Sequence, residues 1–395
     1  MDKKKIYSIV AFLFVALVLV NSVILIGANG NFDAKNIKSI IKNAEIENSI
    51  ETSADEIFSD ELDEDFSYDD SNSDAIGDNV VDGTKRDSKR KKMPKRDGDR
   101  PIETAFAVQK SSSGVVIEQS SRRVLLNEGM NERCYPASTT KVLTALVVLN
   151  NLPLDKIVSV PKKAEGVEGS SIYLRAGQKI SVEDLLFGLM LRSGNDAATA
   201  LAIETSGSVE KFAELMNKTA KELGAVNSNF VNPHGLHDDE HYTTAYDLAL
   251  ITAAAYEKSD FVRIASSQKA KITIDGEARY IGNKNKMLNL YEGANGVKTG
   301  YTKRSGRCLV SGALRNNMQL ISVVLNYNDM WNDSIRMLNY GFDNYEMTSY
   351  EQSLINCKDG ANRIEVTVPT SDFDFSQFRY PLRRDKSEYL ALKAA

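Results

Sequence analysis

Residues 45–82 contain fifteen Asp or Glu and no Lys or Arg, and residues 85–100 contain nine Lys or Arg against three Asp. No other feature restricts the fold as strongly. Like charges at this density repel one another, and the few apolar side chains among them bury too little surface to offset the ordering of the chain. Residues 31–104 therefore read as a disordered charged linker. As a flexible coil, a segment of this length spans on the order of 50 Å. A compact structure has to come from the roughly 295 residues that begin at Pro101, enough for one large domain and part of a second.

The formal charge of −5 belongs to the tail. Residues 1–44 contribute +4, residues 45–82 contribute −15 and residues 83–100 contribute +6, whereas residues 101–395 balance 34 basic against 34 acidic side chains. A neutral foldable part has no global field with which to gather a partner, so its specificity must be local. The basic block has no aromatic residue among its cations, which argues against nucleic acid and leaves a solvated tether or a contact with anionic lipid or wall polymer.

Ahead of the linker, three lysines in the first five residues precede twelve unbroken apolar residues at 9–20. A span from Ile6 to Ala28 is long enough to cross a bilayer, and its core also fits a secretory signal. Ile26 and Ala28 make a poor small-x-small cleavage site, which favours an uncleaved membrane anchor in residues 1–30. In either case the lysines stay inside and the remainder is exported, so the expected location is extracytoplasmic, on the outer face of the cell membrane.

The chemistry centres on Pro136-Ala-Ser-Thr-Thr-Lys141. Ser138 and Lys141 are three apart and share a face if a helix starts here. Val142, Leu143, Leu146, Val147 and Leu149 follow at helical spacing, which predicts a helix to Asn150 with Ser138 at its N-terminus, where free N–H groups can stabilise an oxyanion. Ser-x-x-Lys alone carries no weight, because it occurs six times, starting at Ser39, Ser88, Ser138, Ser159, Ser208 and Ser266. Ser138 is set apart by two later triplets that each occur once, Ser193-Gly194-Asn195 and Lys298-Thr299-Gly300. Their order and separation are those of penicillin-recognising serine enzymes.

Together with Leu191-Arg-Ser-Gly-Asn-Asp-Ala197, Asn232-Pro-His-Gly-Leu236 and Gly296-Val-Lys-Thr-Gly-Tyr-Thr302, the Ser138 segment is similar to the low-molecular-mass penicillin-binding proteins that are D-alanyl-D-alanine carboxypeptidases. The resemblance covers residues 105–345. It implies an α/β (α+β) chain of β-lactamase/transpeptidase-like fold, with an antiparallel sheet and a helical cluster. It also implies that Ser138 is the nucleophile, Lys141 its base and Ser193 a proton relay, with Asn195 bonding the Lys141 amine and the substrate amide. By the same resemblance the backbone N–H groups of Ser138 and Tyr301 form the oxyanion hole. The implied partners are a peptidoglycan stem peptide ending in D-Ala-D-Ala and β-lactam antibiotics.

Elementary chemistry agrees with several of these roles. Lys141 has to be neutral to act as a base, and burial together with a second cation, Lys298, pushes its pKa down. Gly300 on a strand has no side chain, so a peptide can lie against that strand and extend the sheet while Lys298 and Thr299 bind its terminal carboxylate.

The hairpin predicted at 114–118 and 123–126 precedes the Ser138 helix. Helices capped by Ser181, Ser208 and Thr244 follow, then strands at 296–302, 307–314 and 320–327 and a helix at 330–345. Strands at both ends with helices between them suggest a sheet closed by the two ends of the domain. Residues 346–395, with Ile364, Val366 and Val368 alternating, suggest a partial or reduced C-terminal β domain.

Cys134, Cys308 and Cys357 are too few for a disulfide framework, and Cys134 reads as a buried thiol rather than a nucleophile. His234, His237 and His241 are the only histidines and lack the His-Glu-x-x-His order. Pro233 and Gly235 make a loop there, so no metal or other cofactor is expected and His234 is a candidate for lining the site. Two alternatives to a carboxypeptidase stand beside it. One is a β-lactamase of related fold, against which no Glu-x-x-Leu-Asn segment occurs; the other is a catalytically silent wall-binding module, against which the catalytic set is complete.

Overall fold

A computed structural model of the chain describes residues 112–368 and 376–394. All of them fall in one of the chain's two units, Asp99–Ala395. The anchor expected in residues 1–30 and the linker expected at 31–104 lie outside the described residues. Among the described residues no helix is long and apolar enough to cross a membrane.

The expected opening hairpin is present as β1 (Ser113–Glu118) and β2 (Val124–Glu128). The late β-rich runs form a meander of β3 (Ala294–Thr302), β4 (Gly306–Arg315) and β5 (Met318–Tyr327). The two groups join in one sheet, ordered β2-β1-β5-β4-β3, because β1 pairs antiparallel with β5 from Ser113↔Leu325 to Glu118↔Leu320. Every β1 residue is buried. The reason is that both faces of the sheet are covered, so the strands read as nearly continuous apolar runs. Val115, Ile117, Val310, Ile321 and Val323 join the core shared with the helices, whereas Val116, Leu309, Leu320 and Val324 face a smaller core. β3 lies at the sheet's edge.

Between the two halves of the sheet the chain builds α1 (Lys141–Asn151), α2 (Val182–Leu191), α3 (Asn195–Ser206), α4 (Val209–Glu222), α5 (Ala245–Ala255) and α6 (Ser259–Ser266). The three predicted caps are made. Ser181 Oγ accepts from the Asp184 N–H at 3.0 Å, Ser208 Oγ from Lys211 at 3.2 Å and Thr244 Oγ1 from Asp247 at 3.0 Å, each satisfying a donor that the helix leaves unpaired. α7 (Met330–Asn344) covers the sheet's other face through Met337, Leu338 and Phe342.

One boundary differs from the sequence reading. A 3₁₀ turn, Ala137–Thr140, precedes α1, so Ser138 sits in the tighter turn rather than at the N-terminus of an α-helix. In a 3₁₀ turn residues three apart eclipse one another, which keeps Ser138 stacked on Lys141. A four-stranded sheet of Ile157–Ser159, Lys179–Ser181, Lys269–Ile274 and Glu277–Gly282 was not expected from the sequence.

After α7, Tyr345–Ser349 pairs antiparallel with Arg379–Arg383, and Asn362–Val368 pairs parallel with Glu388–Ala394. This β-rich end is held to β2's entrance by Arg123. Its guanidinium meets Glu388 at 2.7 Å, donates to the Pro381 carbonyl and lies over the Tyr345 and Tyr380 rings at 5.3 and 5.6 Å.

Candidate active site

The cleft has one wall from α1 and α3 and another from the edge strand β3. On the first wall Lys141 is completely buried. Its Nζ lies 2.9 Å from Ser138 Oγ, 2.7 Å from Asn195 Oδ1 and 2.7 Å from the His234 carbonyl oxygen. Burial holds the Lys141 amine well below its ordinary range, and the neighbouring Lys298 charge pushes the same way. A neutral amine has two N–H bonds and one lone pair. Asn195 Oδ1 and the His234 carbonyl can only accept, so they take the two N–H bonds and the lone pair faces the Ser138 hydroxyl.

Asn195 is the first residue of α3 and is oriented from both ends of its amide. Its Nδ2 donates to the Glu168 carbonyl at 2.6 Å, which fixes Oδ1 toward Lys141. Ser193 is buried in the turn between α2 and α3 at φ +64, a left-handed backbone seldom adopted by a residue with a side chain.

On the second wall Lys298 is also buried, and its Nζ donates to the Thr299 carbonyl at 3.1 Å. Burial lowers its pKa to about 7, with a smaller contribution from the Lys284 charge. Thr299 is half-buried beside it, while Tyr301 is 62% exposed on the rim. Gly300 brings this wall against the 3₁₀ turn that carries Ser138. A methyl group there would stand 3.0 Å from the Pro136 carbonyl oxygen and the Ser138 nitrogen and 3.1 Å from the Thr139 nitrogen, closer than side-chain carbons normally approach.

The fold thus brings Ser138, Lys141 and Asn195 into direct contact and sets the Lys298–Gly300 segment beside them. His234 contributes differently from the sequence reading. Its carbonyl touches the site's amine, while burial pushes its imidazole pKa down to about 3, and its Nδ1 accepts from the Leu236 N–H at 3.2 Å.

Several supports have no role in the sequence reading. His241 Nδ1 accepts from the Val231 N–H at 3.1 Å, so its Nε2 carries the proton and donates to Thr140 Oγ1 at 2.8 Å. Burial pushes this imidazole down to about 4, so it is a neutral strut beneath the 3₁₀ turn. Gly235, at φ +85, lies so close to Ala137 that a side chain would overlap the Ala137 carbonyl. The buried Asp196 carboxylate accepts from Ser171 Oγ at 2.6 Å and from the N–H groups of Ile172 and Leu174 at 3.1 and 3.0 Å. A sequence signal existed for one of these: Asp196 directly follows Asn195 at a helix start, where a carboxylate commonly serves local N–H groups.

Cys134 and Cys308 are buried, and burial pushes both thiols up to about 12, which makes them inert as nucleophiles. Among the described residues no group of three or more His, Cys, Asp or Glu comes together as a metal site would require.

Residues 102–329 match the family described as D-alanyl-D-alanine carboxypeptidase, peptidase S11. The chain belongs to that family. Among its carboxypeptidase relatives, DacF of Bacillus subtilis is 35% identical over 261 residues, covering 64% of this chain and 66% of that protein. DacC of Escherichia coli is 35% identical over 268 residues, covering 62% of this chain and 66% of that protein. The chain therefore spans just under two thirds of the length of these curated relatives. The Streptomyces K15 DD-transpeptidase structure superposes with a TM-score of 0.56 at 31% identity, covering 61% of this chain and all of that one. The carboxypeptidase family assignment and this superposition bear out the expected β-lactamase/transpeptidase-like fold.

Proposed function

We propose that this protein is a serine-type D-Ala-D-Ala carboxypeptidase that removes the terminal D-alanine from peptidoglycan stem peptides and is acylated by β-lactams. The observation that carries the reading is the Lys141 amine, buried, held below its ordinary pKa and 2.9 Å from Ser138 Oγ with its two N–H bonds committed elsewhere.

In the proposed reaction the substrate's terminal carboxylate is held by Lys298 and Thr299, and its backbone extends the edge of β3. Ser138 Oγ attacks the carbonyl of the penultimate residue while the Lys141 lone pair takes the hydroxyl proton. The backbone N–H groups of Ser138 and Tyr301 stabilise the oxyanion as the C=O π bond opens. Collapse of the tetrahedral species breaks the peptide bond, and the departing amine takes a proton through Ser193. Water, deprotonated by Lys141, then hydrolyses the ester and frees Ser138. Asn195 keeps Lys141 in line and bonds the substrate amide. Every proton moves between groups already present, so the scheme calls for no metal or other cofactor. We also place the enzyme on the outer face of the cell membrane, held by the apolar N-terminal segment, a reading supported by residues 6–28 and by the extracytoplasmic location of the substrate.

The test is product analysis with a stem pentapeptide. Release of one equivalent of D-alanine, with a transient adduct on Ser138, is expected. Hydrolysis of penicillin with no D-alanine released would make the protein a β-lactamase, and binding with neither reaction would make it a silent wall-binding module.

A further inference from the structure

Residues 168–174 are fastened to the base of the cleft. The Asn195 N–H donates to the Ser170 carbonyl at 2.7 Å, Asn195 Nδ2 donates to the Glu168 carbonyl at 2.6 Å, and the buried Asp196 carboxylate gathers Ser171, Ile172 and Leu174. This segment is therefore tied by both its backbone and its side chains to the start of α3. It presents Tyr173, which is 77% exposed at φ +60. A rigid loop that holds a large ring in water on a left-handed backbone gains nothing from that ring within the described fold.

Next to Tyr173 the loop and the hairpin formed by residues 269–282 enclose an open polar cavity of about 570 Å³, lined by Tyr173, Arg175, Gln178, Asp275, Glu277 and Arg279. That volume is on the scale of small-molecule sites. Two of its acceptors are already committed, since Gln178 Oε1 accepts from the Arg175 N–H at 2.8 Å and Asp275 Oδ1 from the Lys179 N–H at 2.7 Å. Arg279 donates to the Ile172 carbonyl at 3.3 Å, which ties the hairpin to the same loop. The cavity thus sets an aromatic platform and two guanidinium groups, one of them bracing the loop, beside the Asp275 and Glu277 carboxylates. A ligand carboxylate therefore has to meet the arginines on the side away from those two.

We infer that this cavity is a distal subsite for the acyl side of the stem peptide, with Tyr173 stacking on its backbone and Arg175 and Arg279 pairing with a free carboxylate. The inference rests on the carboxypeptidase reading. With the terminal carboxylate held on the β3 wall, a peptide that continues past Asn195 would meet the wall to which residues 168–174 are fastened. A stem peptide whose acidic residue is joined through its side-chain carboxyl leaves its α-carboxylate free, and a planar guanidinium pairs with such a group in bidentate fashion.

Binding is measured by calorimetry on the full chain carrying Ser138→Ala, so that turnover is not needed. The ligands are a stem pentapeptide with that carboxylate free, the same peptide with it amidated, and diacetyl-L-lysyl-D-alanyl-D-alanine, which lacks the residues that precede lysine, the acidic one among them. The free acid should bind about tenfold more tightly than the amide, and adding Arg175→Gln should shrink this preference about fivefold, the scale of one ordinary hydrogen bond. Adding Tyr173→Ala should weaken both pentapeptides relative to the tripeptide. Equal affinity for acid and amide, or an acid preference unmoved by Arg175→Gln, would overturn the inference. The parent reading fails separately, if the wild-type protein releases no D-alanine from any of the three.

Discussion

The two walls of the cleft each bury a lysine, and they treat it in opposite ways. Lys141, on the helical wall, is surrounded by three oxygens that use both N–H bonds of its neutral form and present its lone pair to Ser138. Lys298, on the strand wall, has the adjacent Thr299 carbonyl at 3.1 Å and a pKa lowered only to about 7. The first site is complete without a ligand; the second is poised for an anion. In the proposed reaction, what separates the base from the carboxylate receptor is therefore the set of oxygens around the amine and not the depth of burial, since both lysines are buried. The Lys298 charge also pushes the Lys141 amine down, so a protonated carboxylate receptor favours a neutral base.

The largest effects should come from breaking the helical wall. Ser138→Ala should abolish covalent labelling by a fluorescent penicillin while far-ultraviolet circular dichroism stays unchanged, since a half-buried hydroxyl contributes little to the core. An adduct on Ser193 in that variant would show that the nucleophile has been misassigned. Lys141→Arg should lower the acylation rate by on the order of 10³ or more, because a guanidinium keeps its proton at neutral pH. Stopped-flow acylation by a chromogenic cephalosporin measures this loss.

Breaking the strand wall should cost less. Lys298→Ala should raise the KM for a stem pentapeptide and reduce kcat/KM by roughly 10²-fold, as expected for one lost charge-assisted bond, while leaving slow acylation. A loss as deep as that of Lys141→Arg would erase the distinction between the walls.

The pH profile sharpens the comparison. Lys141 must be neutral and Lys298 charged, so kcat/KM should rise through the depressed Lys141 value and fall on the alkaline side near 7, where Lys298 loses its proton. Bound substrate supplies a carboxylate that stabilises the Lys298 ammonium, so the alkaline limb of kcat should lie at higher pH than that of kcat/KM. Coincident limbs would count against Lys298 as the carboxylate receptor.

Stability gives a smaller signal of opposite sign to activity. An unfolded lysine titrates near its ordinary 10.5, while folded Lys298 titrates at about 7, so between these values the unfolded chain binds more protons and stability rises with pH. Below about 7 both states are protonated and the cost of the buried charge is constant. Lys298→Met should therefore raise the midpoint of thermal unfolding at pH 7 by a few degrees and flatten its rise toward pH 9.5. The smallest expected effect is none: dialysis against EDTA should leave D-alanine release unchanged.

Much of this site was legible from the chain because its central groups are side chains in fixed spacing. Ser138, Lys141, Asn195 and Lys298 could be read that way, as could the caps at Ser181, Ser208 and Thr244. What stayed hidden acts through the backbone or through tertiary closure. The left-handed Ser193, the 3₁₀ geometry under Ser138, the Thr140–His241 strut and the four-stranded sheet around residues 157–282 depend on contacts between distant segments, for which a single sequence has no local pattern. His234 is the clearest case, since its side chain was the candidate for lining the site while its carbonyl makes the contact with Lys141.

That carbonyl has a consequence for how the site can change over time. Two of the three oxygens around Lys141 can be erased by a single codon change, at position 138 or 195. The third is common to all twenty amino acids, so drift at position 234 leaves it in place. What protects it is the path of the backbone, set by Pro233 and by Gly235 pressed against Ala137. Sequence variants of this protein should therefore tolerate many residues at 234 while remaining intolerant at 235.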